Sequence, residues 1–210
     1  MNILLVNHYA GAPSLGMEYR PYYLAREWVR AGHQVTIVAA TYSHVRAKQP
    51  AFAQAGDEVI DGIRYRWLPT PAYQGNGIGR VWNIWRFCAQ VWAQAGALAR
   101  ELKPDAVIAS STYPMDIWPA RRIARRAGAK LVFEVHDLWP LSPIELSGMR
   151  PSHPFIRLVS WAEGTAYREC DVAISMLPRV HDYMASRGLD LKKLTIVPNG
   201  ISPEDWLATP

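Results

Sequence analysis

His136 and Asp137 directly follow a short apolar run, Lys130 to Val135, which is rich in β-branched residues and opens after a Gly-Ala turn at Gly128. Such a run reads as a buried parallel strand. Trp139, Pro140 and Pro143 come next and forbid a regular helix, so an imidazole, a carboxylate and an indole are held at the strand's carboxyl end. In open α/β sheets that edge is where ligands bind. Ser111 and Thr112 end a neighbouring expected strand, so their hydroxyls reach the same cleft or simply terminate the strand. Closer to the N-terminus, a loop from Asn7 to Gly16 faces the start of a helix, where free N–H groups and the helix dipole favour an anion. Gly16 would let backbone N–H groups approach a phosphate or sugar oxygen, unless it is a plain βα turn. Arg20 beside it could hold a pyrophosphate bidentately or lie solvated on the surface. Asp137 has three open roles: orienting His136, binding ligand hydroxyls, or capping the following turn. Trp139 either stacks on a sugar ring or lipid head, or packs against its neighbours.

The elements that must position these residues alternate along the chain. Asn2 to Val6 reads as a first strand, Pro21 to Ala31 as a helix stopped by Gly32, and Gln34 to Ala39 as a second strand. Asp61-Gly62 between Val59-Ile60 and the alternating Ile63, Tyr65 and Trp67 predicts a hairpin or bent strand. A long helix follows from Ile78 to Leu102, then a strand from Asp105 to Ala109, a helix from Asp116 to Ala127 and the strand that leads to His136. Phe155 to Glu169 is helical, Asp171 to Met176 a strand, Pro178 to Arg187 a helix and Leu194 to Val197 a last strand. This alternation predicts an α/β fold: a Rossmann-like, doubly wound, mostly parallel sheet with helices on both faces. The first loop is not GxGxxG and no ribose-binding acid follows the second strand, so a dinucleotide fingerprint is absent. Gly75-Asn76-Gly77-Ile78-Gly79 follows a Pro-Thr-Pro segment instead of a strand and reads as a connector.

The chain of 210 residues is half hydrophobic and carries a net charge of +5, which favours an anionic neighbour without choosing among phosphate, nucleic acid and acidic bilayer. Its two cysteines, Cys88 and Cys170, show no metal-ligand spacing, and no metal site is expected. They fit a reducing compartment; with no basic leader and no apolar run near the ~20 residues that span a bilayer, a cytoplasmic location is expected.

On the Ile78 to Leu102 helix, Val81, Trp82, Ile84, Trp85, Cys88, Val91, Trp92 and Ala95 form a wide apolar arc, with Arg80, Asn83, Arg86, Gln90 and Gln94 opposite and Phe87 inside the polar arc. Core packing against the sheet explains most of this stripe. Tryptophans beside arginines are also what an interfacial helix shows, so Trp82, Trp85, Arg86 and Phe87 are candidate membrane-docking residues. Arg121, Arg122, Arg125, Arg126 and Lys130 form a second basic group, which meets anionic head groups or is a solvated face. The aromatics do not lie along a basic groove and no nucleic-acid module is present, so no nucleic-acid partner is expected.

The stretches NILLVNHYAGAPSLGMEYRPYYLAREWVRAGHQVTIVAA, EVHDLWPLSP and LTIVPNGISPEDW resemble the N-terminal half of family 4 glycosyltransferases, which have the two-domain GT-B fold. HDLWPLSPIEL resembles a narrower branch that transfers aminosugars in bacterial surface-polysaccharide assembly. The resemblance implies a retaining transfer from a nucleotide-sugar donor, which is a co-substrate and not a resident cofactor, to a lipid-linked or other saccharide acceptor. It implies peripheral contact with the inner face of the membrane. Residues 1–198 would be the acceptor-binding domain and 199–210 the start of an interdomain hinge, with the C-terminal donor-binding domain and its E-x7-E motif absent. The fragment alone is therefore expected to be inactive. His136 matches the family histidine at the cleft mouth, where an imidazole can hydrogen-bond a sugar hydroxyl and favour charge that develops during transfer. Gly16, with Ser14 and Leu15, matches the glycine-containing loop; Asn199-Gly200 matches the exit turn, with a donor-side contact. Two rivals stand beside this reading. One is a sugar-nucleotide epimerase of GT-B architecture, weakened because only Asp137 and Glu145 lie near the key loop; the other is a non-catalytic lipid- or partner-binding module.

Overall fold

The structure is a computed structural model that describes residues 1–51, 54–75 and 77–207, without the side chains of 205 and 206. Asn76 of the glycine-rich connector and residues 208–210 of the expected hinge lie outside the described residues. In chain order the elements are β1 (Asn2–Val6), α1 (Arg20–Arg30), β2 (Gln34–Ala40), β3 (Gly56–Ile60), β4 (Ile63–Leu68), α2 (Ile78–Leu102), β5 (Ala106–Ala109) and α3 (Ile117–Ala127). There follow β6 (Lys130–Val135), α4 (Leu141–Ser147), α5 (Pro154–Glu169), β7 (Val172–Ser175), α6 (His181–Ser186), β8 (Leu194–Ile196) and α7 (Pro203–Leu207).

The strands form one eight-stranded sheet in the order β3-β4-β2-β1-β5-β6-β7-β8, parallel throughout except for the edge strand β3. The β3–β4 hairpin turns at Asp61 and Gly62, whose φ values of 50° and 80° are the pair of positive angles a two-residue hairpin turn requires. From β1 the chain winds outward to β2 and β4 on one side and to β5 through β8 on the other. The order therefore reverses between β1 and β5, and the loops after them diverge to leave a crevice at their carboxyl ends.

Alternate side chains of the strands feed two cores. Leu4, Val6, Val107 and Phe133 pack under α2, α3 and α5, whereas Leu5, Ile37, Tyr65, Trp67 and Ile108 pack under α1. Strands buried on both faces read as continuous apolar runs, which explains NILLV and VTIVAA. Helix α2 turns Ile84, Phe87, Val91, Ala95 and Leu98 to the sheet at the 3–4 spacing of one helix face. Two expectations are corrected here. Phe87 is 0% exposed and belongs to this core, so it docks against nothing outside the protein; it lies beside Ile84 and Val91 on the helix wheel. The prolines after His136 do not exclude a helix either: α4 starts directly after Pro140, and Pro143 sits in its first turn, where a missing N–H costs no internal bond.

Candidate active site

Glu134 and His136 are two residues apart at the end of β6, so they project to the same side of the sheet. The His136 Nδ1 is 3.0 Å from Glu18 Oε1, and its Nε2 is 3.0 Å from Ser110 Oγ and 3.3 Å from Glu134 Oε2. The Ser110 hydroxyl donates its one proton to Glu134 Oε2 at 2.6 Å, so its oxygen is left to accept from His136. Both ring nitrogens thus face acceptors and both carry protons. Burial alone would push the imidazolium pKa down, but the hydrogen bonds and charges of Glu134 and Glu18 overcome it and raise it to about 9. Burial in turn raises the Glu134 carboxyl, and the bonds from His136 and Ser110 with the Arg20 charge overcome that and hold it at about 2. Asn7, at the end of β1, donates to the Ser110 carbonyl and to its hydroxyl at 3.2 Å, tying the loops on both sides of the crevice.

Arg20 closes the network from the other side and corrects a sequence expectation. Its side chain is 7% exposed, and Nε donates to Glu134 Oε1 at 2.9 Å. Nη2 donates to the Val197 carbonyl at 2.8 Å, and Nη1 to the Pro198 carbonyl and to Asn199 Oδ1 at 3.3 and 3.0 Å. The guanidinium is committed to the protein and leaves no bidentate fork for a pyrophosphate. Instead it straps the first turn of α1 to β6 and to the chain that leaves β8.

The remaining candidates divide. Gly16 has φ +99°, and a Cβ there would meet the Ala47 nitrogen at 2.7 Å, so the position requires glycine. Its N–H donates to the Ala12 carbonyl at 2.8 Å, so it folds the loop and does not offer that donor to an anion. Ser111 is 3% exposed; its hydroxyl accepts from the His8 N–H and its own N–H donates to Asp116. Thr112, Asp137 and Trp139 line a small recess beside His136. Within it, Asp137 accepts from the Leu138 N–H at 2.9 Å, from Trp139 Nε1 at 3.2 Å and from the Ser142 hydroxyl, so its carboxylate ties together the turn that follows it. Trp139 meets Phe155 edge-on at 6.0 Å. Of the expected docking residues, Trp82, Trp85 and Arg86 are exposed.

Glu18, Ser110 and Glu134 are the members that sequence reasoning missed. Glu134 had a signal, since a carboxylate inside an otherwise apolar buried strand must find partners. Glu18 had none, because 118 residues separate it from His136. With its side chain 25% exposed, Glu18 is the most open member of the network.

No curated protein matches the chain in sequence. Among solved structures it is similar to a sucrose-phosphate synthase from Thermosynechococcus elongatus, with TM-score 0.70 and 12% identity over 96% of this chain and 49% of that one. It is also similar to Anabaena HepE in complex with UDP and glucose, with TM-score 0.53 and 16% identity over 98% and 48%. The lipopolysaccharide outer core galactosyltransferase WaaB, in its apo form, matches with TM-score 0.54 and 13% identity over 96% and 46%. The chain thus spans about half the length of these solved structures. The model of the glycosyl transferase 4-like domain matches residues 16–200, from the loop after β1 to the exit turn after β8, and the chain belongs to that family.

Proposed function

We propose that this domain is the acceptor-binding half of a retaining glycosyltransferase that moves a hexose or aminosugar from a nucleotide sugar to a lipid-linked saccharide in bacterial surface-polysaccharide synthesis. The observation that carries the reading is the His136 imidazolium, fixed at the carboxyl edge of the parallel strands in a family 4-like domain. HepE binds UDP and glucose, and WaaB is a lipopolysaccharide galactosyltransferase, which supports a nucleotide-sugar donor and a glycolipid acceptor.

In this reading His136 is neither nucleophile nor base, since both nitrogens hold protons. It is a preorganised positive charge that stabilises the negative charge building on the departing diphosphate. Glu18, the open member, accepts a hydrogen bond from the acceptor hydroxyl, and Thr112 lines the small recess beside His136. Asn199, held by Arg20, begins the connection to a donor-binding domain, without which the 210 residues are inactive. An epimerase would need free carboxylates as acid and base; Glu18 and Glu134 both bind the same imidazole and are not placed for that work.

The test is sugar transfer by the full-length protein from UDP-glucose and UDP-N-acetylhexosamines to a short-chain lipid-diphosphate saccharide, with the product's anomeric configuration read by NMR. Transfer with retained configuration is expected. Consumption of no nucleotide sugar by folded protein would sink the reading, and an inverted product would overturn its stereochemistry.

A further inference from the structure

Helices α2, α3 and α5 lie side by side over one face of the sheet, and nothing among the described residues covers their outer surface. Trp82, Trp85, Trp92 and Trp161 are 52%, 54%, 41% and 62% exposed there. They pair across the surface instead of sinking into the core: Trp82 stacks on Trp85 at 4.8 Å, Trp118 meets Trp161 at 4.8 Å, and the Arg122 guanidinium lies 4.4 Å over Trp92. Between the helices runs an apolar trough of about 700 Å³. It opens beside the candidate active site, because Met115 and Phe155 line it and Phe155 touches Trp139.

The same helices carry nine arginines against three glutamates, an excess of six, which is more than the whole chain's +5. Of the glutamates, Glu163 is buried on Arg187 and Glu101 faces the β4 arginines, so Glu169 alone answers this face, through Arg121 and Arg125. Arg86, Arg157 and Arg168 have no ion-pair partner among the described residues. A second copy seated here across a two-fold axis would set arginines against arginines, which disfavours self-association. The chain after β8 leaves on the other face, where Ser202 and Glu204 bind Arg26 and Arg30 of α1. Indole rings in an apolar surface ringed by guanidinium groups match the interface of a bilayer, where rings sit at head-group depth and arginines meet lipid phosphates.

We propose that the α2–α3–α5 face docks on an anionic phospholipid bilayer, with Trp82, Trp85 and Trp161 entering the interface and acyl chains filling the trough. Resting on the glycolipid-acceptor reading above, it goes further by naming the surface: three helices, not α2 alone, set the crevice of His136 against the membrane that presents the acceptor.

The experiment is co-sedimentation of the full-length protein with vesicles of phosphatidylcholine alone and of phosphatidylglycerol with phosphatidylcholine in equal parts. Binding at least roughly 10-fold tighter to the anionic vesicles, weakened by high salt, is expected. The Trp85→Ser/Trp161→Ser variant removes exposed rings and should melt like the wild type while binding the anionic vesicles roughly 10-fold more weakly or worse. An Arg86→Gln/Arg157→Gln variant should lose much of the preference for anionic lipid. Wild-type protein that stays in the supernatant, a tryptophan variant that binds undiminished, or a wild-type dimer that this variant turns into monomer would each overturn the proposal. Transfer to a water-soluble saccharide, measured in parallel, separates the two readings. Transfer without vesicle binding rejects docking alone, and vesicle binding with no nucleotide sugar consumed rejects the enzyme alone.

Discussion

Two four-membered ion networks of the same composition sit in this domain, each with two cations and two carboxylates. Glu18, His136, Glu134 and Arg20 meet at the strand ends with three of the four side chains at most 7% exposed. Asp57, Arg64, Arg66 and Glu101 meet on the edge hairpin with exposures of 14–43%. The hairpin set is richer in close contacts: Arg66 alone donates to Asp57 at 2.7 and 2.8 Å and to Glu101 at 2.7 and 2.8 Å, and Arg64 joins both carboxylates. Contact count nevertheless ranks them wrongly. Water replaces a lost partner on the hairpin, whereas at the strand ends a lost partner strands a charge in a low dielectric. The hairpin network serves the edge strand, whose charges discourage pairing with another sheet. The buried one holds a proton and a positive charge where chemistry needs them.

The comparison breaks most easily at Glu134. Glu134→Ala leaves His136 and Arg20 buried without their shared carboxylate and should cost about 3–5 kcal/mol in urea unfolding; a cost under about 1 kcal/mol would place the two networks in one class. His136→Gln, measured in the full-length protein, should lower kcat by roughly 10²-fold with a smaller change in KM, the pattern of a group that acts in the transition state. Equal kcat would remove His136 from the chemistry. Arg20→Lys keeps the charge but loses the fork that reaches Val197 and Asn199, and should destabilise by about 1.5–3 kcal/mol. Smallest is Asp57→Asn, expected to cost about 1 kcal/mol or less and to become neutral in high salt.

Acidity separates the networks without a substitution. The His136 pKa is raised, so its contribution is complete below the ordinary value of 6.5 and is lost as pH rises through about 9. Glu101 is held at about 2 by Arg66 and Arg64 against the opposing effect of burial, so its contribution is present above the ordinary 4.5 and lost as pH falls through about 2. Glu134 behaves like Glu101 on the acid side. Thermal melts should therefore fall from pH 7 to 10 in the wild type and lose that limb in His136→Gln, while Asp57→Asn keeps it.

What was readable along the chain was whatever a few neighbouring residues settle. Strand and helix bounds followed from apolar period and from turn residues such as Asp61-Gly62 and Gly32; errors at element ends ran to three residues, at the start of α6, and the short helices α4 and α7 were missed. The period of α2 was right, but the rotation that buries Phe87 and bares Trp82 depends on where the sheet lies, which no window of α2 contains. Pro143 misled because a proline breaks a helix interior and suits a first turn, and only the start at Leu141 distinguishes the two.

The sequence by itself determined the alternating elements, the parallel sheet, the family and the placing of His136 at a strand's carboxyl end, because short-range sterics and hydrophobic period dictate these. Tertiary structure alone decided what His136 touches. Glu18 and Arg20 reach β6 across 118 and 114 residues. The parallel order β1-β5-β6 brings them there, and burial then sets their charges. Arg20 changed from an expected ligand contact to a strap, and scattered tryptophans became one face, for the same reason: solvent exposure is a property of the assembled layers, not of any segment.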